Sequence, residues 1–143
     1  MEHHEALADM GSLTFNIHRV AEKIGRPVLL SVMTINAIKK LHLHEAFDKI
    51  DYSRMSSFLS KIYQGYRRDV EYHNDLHAAD VMQMCFLMLT SGGIIERAEL
   101  NSIDVLSIIW AAVCHDFKHD GFSNIYHVNC ISDRAIRYSD LSV

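Results

Sequence analysis

Apolar positions along the chain recur at helical intervals. Leu13, Ile17, Val20 and Ile24 repeat at i, i+4, i+7 and i+11, the stripe of an amphipathic helix, and Gly25-Arg26-Pro27 breaks it. Pro27 suits the first position of the next helix, whose stripe of Val28, Val32 and Ile35 runs to about Leu41. His42 to Asp51 is mixed and predicts a short helix and a turn. Met55, Leu59, Ile62 and Tyr66 form a third stripe. A junction from Tyr72 to His77 leads into a fourth helix through Leu89, ended by Gly92-Gly93. Asn101, with Asp104 three residues on, is a capping box for a fifth helix. From Val105 to Cys114 every residue but Ser107 is apolar, which predicts a helix buried on all sides. A turn at Asp120-Gly121 precedes two short helical segments, Asn124–Asn129 and Ser132–Tyr138. The chain reads as all-α.

Composition narrows this picture. A single proline among 143 residues favours long helices over a turn-rich β fold. The net charge of −4 argues against a nucleic-acid partner held by a broad basic surface. The longest uncharged stretch, Val81 to Ile95, is shorter than the roughly 20 residues that a membrane span needs. The acidic N-terminus lacks the apolar core of a secretory signal. Cys85, Cys114 and Cys130 show no CxxC spacing; they read as reduced, buried thiols in an intracellular, cytoplasmic protein. The Met82, Met84, Met88 run reads as core, His18 and His127 as interior or boundary residues, and His3, His4, His42, His44 and Arg67-Arg68 as solvated.

The 10 histidines carry the candidate chemistry, because they fall largely in pairs. His73 and His77, at i and i+4, can share a helix face. His115 and Asp116 follow directly on the apolar Val105–Cys114 rod, which packing would hold in place as a metal shell requires. Buried polar groups left unmatched cost about 1–3 kcal/mol each, and a divalent cation would satisfy both. His77, His115 and Asp116 supply two nitrogens and a carboxylate, a donor set for zinc, iron or manganese, with magnesium suited to carboxylate and water. A carboxylate can bridge two metals, the usual arrangement for phosphate-ester hydrolysis. His73, not needed as a ligand, has a suitable ordinary pKa to protonate a leaving oxygen.

The string YHNDLHAADV resembles the Y-H-N-x-x-H-A-A-D-V signature of the cyclic nucleotide phosphodiesterase catalytic domain, within the HD-type metal phosphohydrolases. HDFKHDGFSN resembles its H-D-x-x-H-P-G-x-x-N signature. SLTFNIHRVAEKIGRPV is similar to the opening helices of that domain, and ISDRAIRYSDLSV to the segment that runs into L-E-N-H-H. The resemblance covers Ser12 to Val143 and leaves residues 1–11 as an N-terminal extension. It implies a compact multi-helix fold and hydrolysis of a 3′,5′-cyclic nucleotide, cyclic AMP or cyclic GMP, to the 5′-monophosphate in signal transduction. By the same resemblance His73 is the general acid, and His77, His115 and Asp116 are metal ligands. Asp116 touches both a tight zinc and a looser magnesium or manganese. Tyr72 lines the pocket, and His119 and Asn124 orient ligands and water.

Two departures qualify this. Asp120 stands where the family has proline, which is expected to loosen the turn and add negative charge that Lys118 offsets in part. The fourth metal-binding aspartate, the purine-recognising glutamine and the aromatic clamp of the family fall beyond residue 143. The chain is therefore expected to be the front portion of a larger domain, inactive alone and associating through exposed apolar surface. Rival readings are another HD-type phosphohydrolase acting on other phosphoesters, and a non-catalytic helical regulatory module.

Overall fold

Helix starts follow the capping residues. In a computed structural model, which describes residues 5–47 and 49–139, the Asn16 side chain accepts a hydrogen bond from the Arg19 amide and opens α1, Ile17–Ile24. Gly25, at φ +88°, takes a backbone shape that a side chain resists, ends α1 and directly precedes α2, Arg26–Lys40. α3 is the short Leu43–Ala46. Asp51 caps α4, Tyr52–Gly65, through the Ser53 and Arg54 amides. Asn74 caps α5, Asp75–Thr90, and Gly93 precedes α6, Ile94–Arg97. Both halves of the Asn101/Asp104 capping box form at α7, Ser102–Cys114. Ser123 and Ser132 cap α8, Asn124–Asn129, and α9, Asp133–Tyr138. The described residues contain helices and no strand, so the fold class is all-α.

The core lies where α2, α4, α5 and α7 meet, with α5 packed most extensively on α7 and on α2. Leu30, Met33, Ile38, Leu59, Met82, Ile109 and Val113 are fully enclosed there. Leu7 and Met10, from the segment before residue 12, are buried in the same cluster. Gln83 of α5 anchors that segment by donating to the Met10 and Ser12 carbonyls at 2.8 and 3.1 Å.

Several sequence expectations need correction. Leu13 is exposed and outside α1, because Ser12 and Thr14 form a hydroxyl-bonded turn and Asn16 sets the cap. On α2 the enclosed face runs through Leu30, Met33, Ala37 and Ile38, while Val28 is exposed; with apolar residues on several sides, packing chose the face. α7 is buried on one face only. Val105, Ile109, Ala112 and Val113 meet the core, while Ser107 and Ala111 within the apolar run, and Ile103 before it, are exposed. Met84 and Met88 are exposed and only Met82 is core. His18 lies on the surface of α1 rather than at an interior position. Cys85 and Cys114 are half-buried and Cys130 exposed. His42 and His44 are solvated as expected, and His3 and His4 lie outside the described residues.

Candidate metal centre

Asn74 builds one half of the site. Its side-chain oxygen accepts from the Leu76 and His77 amides at 2.9 and 3.4 Å, which starts α5. Its side-chain amide donates back to the Val70 and Glu71 carbonyls at 3.1 and 2.9 Å. The loop carrying Tyr72 and His73 is thereby tied to the helix carrying His77; because Asn74 caps the helix after His73, the two histidines do not share a helix face as their spacing suggests. The other half sits at the C-terminal end of α7. There the Tyr66 hydroxyl donates to the Val113 carbonyl at 2.9 Å, satisfying one of the helix's orphan acceptors. Burial pushes the Tyr66 phenol well above its ordinary range, so it remains a donor.

His115 Nδ1 lies 2.8 Å from the Ala112 carbonyl. A carbonyl can only accept, so Nδ1 carries the proton and the Nε2 lone pair faces outward when the ring is neutral. That lone pair points at the other two members of the cluster. His115 Nε2 lies 3.1 Å from Asp116 Oδ2 and 3.3 Å from His77 Nε2, and His77 Nε2 lies 3.4 Å from Asp116 Oδ2. Burial pushes the His77 imidazole below its ordinary 6.5; neighbouring His115 pushes the same way and Asp116 opposes. A neutral imidazole is the form that ligates a metal.

The donor chemistry fits a divalent cation. Bonds of about 2.0–2.2 Å to nitrogen and oxygen set neighbouring ligand atoms about 3–3.5 Å apart in tetrahedral or right-angled geometry. The three separations lie in that range. Two imidazoles and one carboxylate form the one cluster of potential ligands among the described residues.

His73 stacks on His119, ring centroids 4.1 Å apart at 19°, and stands edge-on to His77 at 5.9 Å. The Gly121 amide donates to His119 Nδ1 at 3.0 Å. Tyr72 lies 4.5 Å from the His77 ring and is 65% exposed. Two open clefts lie beside these histidines, the first reaching the cluster through His77 and the second reaching only His73. One, about 470 Å³, is lined by His77, Tyr72 and the loop around Phe15; the other, about 500 Å³, by His73, Tyr72 and Phe122. Asn124 lies exposed at the start of α8 and forms no hydrogen bond with these histidines or with Asp116, so the structure does not join it to the cluster.

Asp120 does not loosen its turn. Its carboxylate lies 3.2 Å from buried His127 Nε2, 2.9 Å from Arg134 Nη1, and accepts from the Phe122 amide at 3.1 Å. Burial works against its charge, but the Phe122 amide, His127 and Arg134 outweigh burial and hold the carboxyl below its ordinary range. Lys118 does not offset it; its ammonium lies over the Phe117 ring, 5.6 Å from the centroid. The neighbouring Gly121, at φ +91°, lies so near Val70 that a Cβ would come within 3.3 Å of it.

Sequence reasoning missed four supporting residues. Asn74 before an acidic first turn is a readable cap signal. Asp75, 2% exposed, and Arg26 form a two-pronged ion pair at 2.7 and 2.8 Å across 49 residues of chain. That pairing, like Tyr66 on Val113, is invisible without tertiary structure.

Residues 72–143 match the family model for 3′5′-cyclic nucleotide phosphodiesterase. The chain is 33% identical over 141 residues to a probable 3′,5′-cyclic-AMP phosphodiesterase, pde-4, of Caenorhabditis elegans, covering 99% of this chain and 20% of that one. It is 33% identical over 140 residues to the human dual specificity calcium/calmodulin-dependent 3′,5′-cyclic nucleotide phosphodiesterase 1C, covering 97% of this chain and 19% of that one. It is 30% identical over 129 residues to the 3′,5′-cyclic-nucleotide phosphodiesterase regA of Dictyostelium discoideum, covering 90% and 15%. The chain thus spans a fifth or less of the length of these relatives. With the family match covering half of its residues and both histidine-bearing strings, the chain belongs to the 3′,5′-cyclic nucleotide phosphodiesterase family.

Proposed function

We propose that this chain carries the cation-binding and proton-donating part of a phosphodiesterase site that hydrolyses cyclic AMP or cyclic GMP to the 5′-monophosphate. The convergence of His77, His115 and Asp116 to within 3.1–3.4 Å carries this reading. These three residues would hold the cation: zinc at the tighter position, with Asp116 shared with magnesium or manganese at a second. When bound, such cations supply Lewis acidity toward phosphate oxygens and acidify water.

The chain's own groups do the rest. The Ala112 carbonyl holds His115 in the tautomer that offers Nε2. Partial burial of His77 and Asp116, at 17% and 15% side-chain exposure, strengthens their pull on a cation relative to open surface. His73 stands in the loop just before α5, four residues ahead of His77, and lines the 500 Å³ cleft; it delivers a proton to the departing 3′ oxygen. His119, stacked beneath it, limits the ring's tilt. Tyr72 forms part of the cleft wall. Asn124 is assigned to orient water only in a longer chain that draws it toward the site. Residues 12–143 form the front of the catalytic domain in this reading, with residues 1–11 preceding it. The described residues give one carboxylate and two imidazoles, a set for one firmly held ion, so the 143 residues alone bind cation without turning over cyclic nucleotide.

The test is zinc uptake by the purified, metal-stripped chain, followed by assay of cyclic AMP and cyclic GMP with zinc and magnesium. One zinc per chain, lost in Asp116→Asn, with no turnover is expected. No zinc uptake would support a non-catalytic helical module. Zinc-dependent cleavage of other phosphoesters would support the other HD-type hydrolases. Robust cyclic nucleotide turnover abolished by Asp116→Asn would overturn the claim of inactivity.

A further inference from the structure

Arg26 is the first residue of α2, and that helix has no acidic residue in its first turn. A cation is electrostatically misplaced there, because a helix N-terminus carries partial positive charge. Asp75, the first residue of α5, is its partner: Nε to Oδ2 at 2.8 Å and Nη2 to Oδ1 at 2.7 Å. The carboxylate is 2% exposed, so both of its oxygens are committed inside the protein. A fork-to-fork pair fixes direction as well as distance. Two residues further along the same helical turn stands His77.

We propose that the Arg26–Asp75 pair is a positioning device that sets the rotation of the first turn of α5 and thereby aims His77 at His115 and Asp116. The inference rests on the cation-site reading above. In an α-helix, residues two apart lie roughly 200° apart around the axis, so Asp75 faces α2 while His77 faces α7. A side-chain tip lies about 5–6 Å from the axis, so a 10° rotation carries Nε2 by about 1 Å. Metal-ligand distances tolerate about 0.2 Å. Asn74 fixes where the helix begins through hydrogen bonds to its own local segment. The Arg26 contact ties that first turn to a different helix, and so can set its rotation against the rest of the fold.

The experiment measures zinc affinity by chelator competition, together with thermal midpoint, on the full 143-residue chain. The variants are Arg26→Lys, Arg26→Met and the double variant Arg26→Met/Asp75→Leu. Arg26→Met leaves a buried carboxylate alone and should lower both the midpoint and the affinity. The double variant replaces a buried ion pair by apolar groups, an exchange that is often neutral for stability. It should recover the midpoint yet bind zinc at least about tenfold more weakly than the parent, within the range that lost outer-shell support costs. Arg26→Lys, with the charge but no fork, should fall between. Parent-like zinc affinity in the double variant would overturn the positioning role while leaving the cation site standing. A parent chain that takes up no zinc, or whose uptake survives Asp116→Asn, would overturn the cation site and the inference with it.

Discussion

Replacing Asn74 with alanine removes four hydrogen bonds at one point. Two serve the N-terminus of α5, and the loss of such a cap costs about 1 kcal/mol. Two are donated to the Val70 and Glu71 carbonyls, each worth about 1 kcal/mol net. Asn74 is buried, so water cannot readily take its place. The expected loss is about 3 kcal/mol, near 10 °C in melting temperature for a chain of this length. Calorimetric melts of Asn74→Ala and Asn74→Ser test it. Serine keeps a cap acceptor and should regain about 1 kcal/mol. A loss under about 0.5 kcal/mol for alanine, or a serine variant no better than alanine, would refute the claim that this side chain ties the His73 loop to the His77 helix.

Other predictions concern the frame around the site. Ile109→Ala, at a position with no exposed surface, should cost about 2–5 kcal/mol in urea unfolding, whereas Ile103→Ala on the same helix should cost under about 0.5 kcal/mol. Gly65→Ala should destabilise despite alanine's better helix propensity, because a Cβ there would overlap the Phe117 ring, 2.0 Å from Cε2; a raised melting temperature would contradict this. Asp120 has its folded-state pKa below the ordinary 3.8, so its stabilising contribution is complete above that value and is lost as pH falls through the folded-state pKa. Asp120→Asn should therefore lower stability at neutral pH and flatten the acid limb of the stability curve below about pH 4, measured by urea melts across pH.

Cap residues and histidine spacing made much of this molecule legible. Asn101/Asp104 and the Gly25-Arg26-Pro27 break mark helix ends through local hydrogen bonds and backbone limits, which depend little on the rest of the fold. The cluster was legible for the same reason: His77 lies in the first turn of a helix that packs on the helix ending just before His115 and Asp116. Which face of α2 turns inward was not legible, since a helix apolar on several sides leaves the choice to its neighbours. The effect of Asp120 was misjudged from the turn alone, because its partners His127 and Arg134 come from later helices. Arg26 and Asp75 gave no signal, as nothing local links residues 49 apart.

The central claim is that His77, His115 and Asp116 hold a divalent cation, and zinc K-edge X-ray absorption on the zinc-loaded chain addresses it most directly. The account predicts two imidazole nitrogens and a carboxylate oxygen at about 2.0–2.2 Å, with one imidazole lost in each of His77→Ala and His115→Ala. A zinc environment unchanged by either substitution would contradict it.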